Sequence, residues 1–159
     1  MDSSKRAKHL IISNTLFILK IIMNEILIQN AILATAIDTD GSIFAYIHKH
    51  GERQKPSIGH TVSITNNNIE FLEKMQEYAN IGTIIPGDRN VKILWIASKK
   101  DVKNILERII PFLIIKKKQA NKMLDYCNKR LNCWSRYSEE DWSFVEEMKK
   151  LNGEKNADS

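Results

Sequence analysis

The run from Leu33 to Gly41, Leu-Ala-Thr-Ala-Ile-Asp-Thr-Asp-Gly, constrains this chain more than any other segment. It closes an apolar helical stretch with two carboxylates. A helix carries partial negative charge at its C-terminus, so Asp38 and Asp40 stand at the electrostatically unfavourable end unless a cation joins them. Carboxylates held at such a corner suit Mg²⁺ and phosphate chemistry. Gly41 can take a left-handed cap conformation, and the alternation from Ser42 to His50 predicts a strand, which puts Asp40 at a helix-to-strand corner.

The helix is predicted over 24–39. Small residues recur along it at Ala31, Thr35 and Thr39 and at Ala34 and Asp38, a spacing that lets two helix backbones approach closely. Leu33 and Ile37 supply a separate apolar face for the core. Close pairing with another helix through Ala31, Ala34, Thr35 and Asp38 is therefore expected.

Downstream, the periodicity predicts a hairpin of Ser42–His50 and Gly59–Thr65, a helix capped from the triplet Asn66-Asn67-Asn68 and running to Ala79, and a second hairpin of Gly82–Ile85 and Val91–Ala97. A helix follows over 99–110, the segment from Pro111 to Asn121 leads a basic helix to about Trp134, and a last helix covers 138–151. This order implies an α+β fold, an αββαββα core in which helices cover one face of an antiparallel four-stranded sheet and leave the other open. The expected organisation is an N-terminal extension over 1–23, a core over 24–133 and a C-terminal helical tail over 134–159.

The open face is expected to bind nucleic acid. In the first strand Ile43, Ala45 and Ile47 alternate with Phe44, Tyr46, His48 and His50. A two-stranded ribbon of this kind fits the DNA major groove and presents alternate side chains to base edges. The candidates are Ser42, Phe44, Tyr46, His48, His50, Thr61, Ser63 and Thr65 on the first hairpin. Arg53 and Lys55 join them from its turn, and Arg89 and Lys92 from the second hairpin. Lys117 and Lys118 are placed to meet phosphates. The formal net charge of +5 agrees with a polyanionic partner, and residues 24–133 carry sixteen Lys/Arg against eleven Asp/Glu.

Two cysteines, Cys127 and Cys133, fall on different faces of one predicted helix, which argues against a disulfide and for a reducing, intracellular setting. Lys5, Arg6 and Lys8 precede an apolar stretch as in a secretory signal, with Ala34-Thr35-Ala36 posing as a cleavage site. Ser13, Asn14, Thr15, Lys20, Asn24 and Glu25 interrupt that stretch, so neither export nor a membrane partner is expected. Glycine comes too early in Asp38-Thr39-Asp40-Gly41 for an EF-hand loop, and His48, His50 and His60 lack the cysteine spacing of a zinc site.

The nonapeptide, the two hairpins and the segment Pro111-Phe112-Leu113-Ile114-Ile115-Lys116-Lys117-Lys118-Gln119-Ala120 together resemble a LAGLIDADG homing endonuclease of the single-motif, homodimeric type, over about residues 24–130. The resemblance implies a sequence-specific, Mg²⁺-dependent endonuclease that cuts double-stranded DNA at a pseudo-palindromic site. Mn²⁺ or Ca²⁺ can substitute in binding. It further implies that Asp40 is a metal ligand, that Thr39 lends its backbone carbonyl, that Asn66 positions the attacking water and that Lys116 completes the catalytic set, with Asp38 structural. Thr35 and Ala36 depart from the family pattern, where glycine and a larger apolar residue are typical. The alternative on the same scaffold is a module that binds nucleic acid without cutting it, an RNA splicing maturase or a DNA-binding regulator.

Overall fold

The computed structural model describes residues 3–49, 55–133 and 135–153, with side chains described from residue 10 onward. In chain order the elements are α1 (Ser3–Asp40), β1 (Gly41–His48), β2 (Ser57–Asn66), α2 (Ile69–Ala79), β3 (Thr83–Pro86), β4 (Lys92–Ile96), α3 (Lys99–Ile109), α4 (Lys117–Arg130) and α5 (Glu139–Gly153). A 3-10 turn over Ile110–Phe112 joins α3 to the loop before α4. The strands form one antiparallel sheet in the order β1-β2-β4-β3. This is the α+β architecture expected from the sequence, and local chemistry sets its boundaries.

Asn68 caps α2, its side chain accepting from the Phe71 amide at 3.1 Å. Asn80 closes that helix in the left-handed conformation at φ 55°. Ser98 caps α3 through the Asp101 amide, and Ser138 and Asp141 form a reciprocal capping box at the start of α5.

The helices cover one face of the sheet. Ile43, Val62, Ile64, Leu94 and Ile96 point into that interface and meet Leu33, Ile37, Leu72, Ile105, Leu106 and Met123, all nearly or fully buried. Arg108 ties three helices together. Its guanidinium donates to Asn30 Oδ1 on α1 at 2.9 and 3.1 Å and to the last carbonyls of α2, Tyr78 at 2.7 Å and Ala79 at 2.8 Å. The orphan carbonyls at the end of α2 are thereby satisfied by a cation, which also complements the helix dipole.

Three expectations change. First, α1 is one helix of 38 residues rather than a helix beginning near residue 24, so residues 3–23 continue it. By length and composition it is long and apolar enough to cross a membrane. Second, α5 packs on β1 and α4, with Phe144, Val145 and Met148 buried in the common core, and so belongs to the same unit as the sheet.

Third, Gly41 is not a left-handed cap: Gly82, at φ 90°, is the positive-φ glycine among the described residues. Gly41 is required by close approach instead. A Cβ there would lie 2.6 Å from Ile37 Cα, 2.7 Å from the Ser63 carbonyl oxygen and 2.8 Å from the Ile37 carbonyl oxygen, all backbone atoms that cannot swing aside. Gly41→Ala should therefore destabilise the fold by about 3 kcal/mol, seen as a lower urea midpoint. An unchanged midpoint would show that α1 and β2 can separate without cost.

Candidate metal and nucleic-acid site

The chemistry gathers where α1 hands over to β1. Asp38 and Asp40, two residues apart, point in different directions and do different work. Asp38 is buried, and its carboxylate holds the loop that precedes α4. Oδ2 accepts from the amides of Ile114 at 2.7 Å and Ile115 at 3.1 Å, and Oδ1 accepts from the amide of Lys116 at 2.8 Å. Burial pushes this carboxyl up. The three backbone donors, with the Lys116 charge, outweigh burial and hold it below the usual aspartate value.

Lys116 completes the wedge. Only 8% exposed, it sends its ammonium back to the carbonyls of Ile37 and Asp38, both at 2.6 Å. The last turn of α1 thus receives a cation at its negative end. The electrostatic difficulty that Asp38 poses in the sequence is answered within the chain, by Lys116 and three amides. In this geometry Lys116 serves the helix terminus, which differs from the catalytic role that the resemblance implies.

Asp40 remains exposed. Its Oδ2 accepts from Asn66 Nδ2 at 3.0 Å, while Asn66 Oδ1 accepts from the Asn68 amide at 2.9 Å and is oriented by it. The α1-to-β1 corner and the last residue of β2 therefore bring the metal candidate and the water-positioning candidate into contact, 26 residues apart in sequence. The Asp40 carboxylate is a hard oxygen donor, of the kind suited to Mg²⁺ or Ca²⁺ rather than to zinc, and Thr39, whose carbonyl the resemblance also enlists, is its neighbour in the chain. Among the described residues no three acidic, histidine or cysteine side chains converge as a metal cluster.

Beside Asp40 the outer side of α1 forms an open groove of Ile28, Ala31, Ile32, Thr35, Thr39 and Phe71. The Thr35 hydroxyl turns back to the Ala31 carbonyl at 2.9 Å and that of Thr39 to the Thr35 carbonyl at 3.0 Å, leaving both side chains apolar toward the groove. Of the four residues expected at a helix pairing, Ala31 and Thr35 lie here. Ala34, fully buried, and Asp38, engaged with the loop before α4, face the core and are excluded from it. The outer stripe is Ile28, Ile32, Thr35 and Thr39.

The open face of the sheet differs from the expected polar ladder. Phe44 lies tilted against Tyr46, ring centroids 5.9 Å apart, and meets Trp95 edge-on at 5.8 Å, while Tyr46 meets His48 edge-on. The Tyr46 ring lies over Gly59, where a Cβ would come within 2.3 Å of it. These rings cover the central strand, so Thr61 and Ser63, expected as DNA contacts, are 0% and 5% exposed, and the Thr61 hydroxyl donates to the Ile96 carbonyl. Neither is available for base contacts in this conformation. Ser42, His48, Lys55, Thr65, Arg89, Lys92, Lys117 and Lys118 are exposed, and Phe44 and Tyr46 half-exposed. His50 and Arg53 lie outside the described residues. Trp95 completes the aromatic surface and went unrecognised in the sequence; its alternation with Leu94 and Ile96 was the available signal. His60, on the helix-covered side, packs against Tyr126.

The fold thus sets an exposed carboxylate at the end of α1 beside an open, partly aromatic sheet face. The LAGLIDADG endonuclease family model matches residues 36–131, and the chain belongs to that family. Among solved structures, the homing endonuclease I-CvuI in complex with its target in the presence of 2 mM Ca is 20% identical, with a TM-score of 0.67, over 80% of this chain and 83% of that one. The archaeal intron-encoded homing endonuclease I-Vdi141I, complexed with DNA, is 21% identical at a TM-score of 0.67, over 78% of this chain and 84% of that one. The homing endonuclease I-TnaI is 12% identical at 0.65, over 77% and 92%. These likenesses establish a shared fold. No curated protein matches the sequence.

Proposed function

We propose that this chain acts as a homodimeric, divalent-metal-dependent endonuclease that cuts double-stranded DNA at a pseudo-palindromic site. The observation that carries the reading is the exposed Asp40 carboxylate, gripped by Asn66 at 3.0 Å and set at the end of a helix with an uncovered apolar stripe. Pairing that stripe with its copy about a two-fold axis brings two Asp40 carboxylates together. The two Asp40 carboxylates would hold Mg²⁺, which would offset their repulsion and supply Lewis-acid activation of a phosphate and of water. The protein's part is to orient Asp40 through Asn66, to keep the backbone of the α1 terminus rigid through Asp38 and Lys116, and to seat the duplex on the open face.

The lysines support a polyanionic ligand. Lys116, Lys117 and Lys118 begin α4, where the helix dipole disfavours cations, and no acidic residue stands in that first turn. Exposed Lys117 and Lys118 hold positive charge that an external anion, such as a phosphate, would offset. I-CvuI was solved with DNA in the presence of Ca or of Mg, which agrees with divalent-ion use in this scaffold.

Binding and cutting measured on the same duplex, with Mg²⁺ and then with a chelator, test the reading: cutting should stop in chelator while the complex persists. One observation favours the second reading, a non-cleaving module. The Lys116 ammonium is spent on α1 carbonyls. Metal-independent binding with no cutting of any duplex or RNA would establish that reading.

The dimer has its own test. Thr35→Glu puts a carboxylate into the stripe, opposite its copy. An unpaired buried charge costs about 3–5 kcal/mol, so self-association should weaken by about 100-fold or more in sedimentation equilibrium. Unchanged association would place the dimer contact elsewhere.

A further inference from the structure

Of residues 10–28, the cleavage reading uses only Ile28, at the edge of the pairing stripe. Thirteen of these nineteen residues are large and apolar, and each is between 46% and 65% exposed. Burial along α1 begins only at Asn30; residues 10–20 project beyond the domain, and residues 21–29 pass beside Lys74, Glu77 and Tyr78 at its edge. Successive helical residues step about 100° around the axis, and the unbroken stretches Leu10–Ile12, Leu16–Leu19, Ile21–Met23 and Ile26–Ile28 therefore place apolar side chains on every side.

The geometry points to a membrane anchor: we propose that residues 10–28 insert into the hydrocarbon of a lipid bilayer and hold the endonuclease domain at its surface. A second copy paired along a coiled-coil seam would cover one stripe and leave the rest in water, whereas a helix apolar around most of its circumference calls for an apolar medium on most sides. Nineteen residues span about 28 Å, which matches a hydrocarbon thickness of about 30 Å.

The flanks fit as well. Lys5, Arg6 and Lys8 precede the segment and Gln29 and Asn30 follow it. The polar interruptions are few against this surface. Lys20 shares a narrow stripe with Ser13 and Asn24, and its long stem carries the ammonium away from the apolar side.

A cleaved export signal does not account for the segment. Ala34 and Ala36 of the pseudo-cleavage triplet are 0% and 6% exposed within α1, and a cut there would strip Asn30 and Leu33 from the core. Insertion also leaves the site clear. Asp40 lies twelve residues beyond Ile28, about 18 Å along the helix, at the opposite end from the arm.

Flotation of the full-length protein with phosphatidylcholine vesicles at high salt tests this, with a vesicle-free control. Wild type should rise with the vesicles and stay at the bottom without them. The triple variant Phe17→Glu, Leu19→Glu, Ile22→Glu should lose vesicle binding by about 100-fold. Its thermal unfolding and its binding to DNA should match wild type, because those side chains are exposed, and these readouts separate the anchor from the endonuclease reading. Failure of wild type to float, or flotation of the triple variant at the wild-type level, would overturn the proposal. So would arm-dependent oligomers that form in vesicle-free solution and never bind vesicles, since they would show a second copy covering the arm.

Discussion

Asp38→Ala should unfold the end of α1 and cost about 3–5 kcal/mol, the scale for removing one partner of a buried, charged hydrogen-bond network. The substitution strands the amides of Ile114, Ile115 and Lys116 and leaves the Lys116 ammonium beside helix carbonyls without the neighbouring carboxylate. Equilibrium urea unfolding reads the loss directly, and a cost below about 1 kcal/mol would contradict the role assigned to Asp38. Asp38→Asn should fall between the two, because an amide keeps one acceptor oxygen but turns a donor toward backbone donors. Acid should act in the same direction. Because the folded carboxyl titrates below its unfolded value near 3.8, its stabilisation is fully present above that pH and is lost as pH falls through the lower, native value.

Asp40→Asn should reduce cleavage by about 1000-fold or more while leaving DNA binding intact. Asparagine matches the shape of aspartate and still offers an oxygen to Asn66, so the corner between α1 and β1 is preserved. What disappears is the anionic ligand. DNA affinity should hold or rise, since a carboxylate beside phosphates repels them. Asp38→Ala makes the useful contrast, because it should lower stability, binding and cutting together. A freely cutting Asp40→Asn protein would remove Asp40 from the catalytic assignment.

The comparison of the two aspartates shows how far residue patterns carry. The electrostatic argument correctly marks the end of α1 as a place that needs cations, and an asparagine cap within 66–68, the two hairpins and the antiparallel sheet all follow from local chemistry. Which small residues face outward does not follow. Ala31/Thr35 and Ala34/Asp38 share the same spacing of four, and the choice is made by the loop before α4, which docks on Asp38 from 76 to 78 residues away. Thr61 and Ser63 show the same limit. Alternation assigns them correctly to the open face, but the cross-strand rings of Phe44, Tyr46 and Trp95 decide that they are covered. The polar residues among 10–28 argue against a membrane when counted along the chain. Arranged on a continuous helix, they are outnumbered around most of its circumference, and Ser13, Lys20 and Asn24 gather on one narrow stripe.

The most direct measurement is selection of cleaved sites from a randomised double-stranded DNA library with Mg²⁺, run in parallel with wild type, Asp40→Asn and wild type in chelator. The account expects pseudo-palindromic sites cut on both strands near their centre by wild type with Mg²⁺ alone. No cleaved site with wild type and Mg²⁺, or the same sites cut by Asp40→Asn or in chelator, would contradict it.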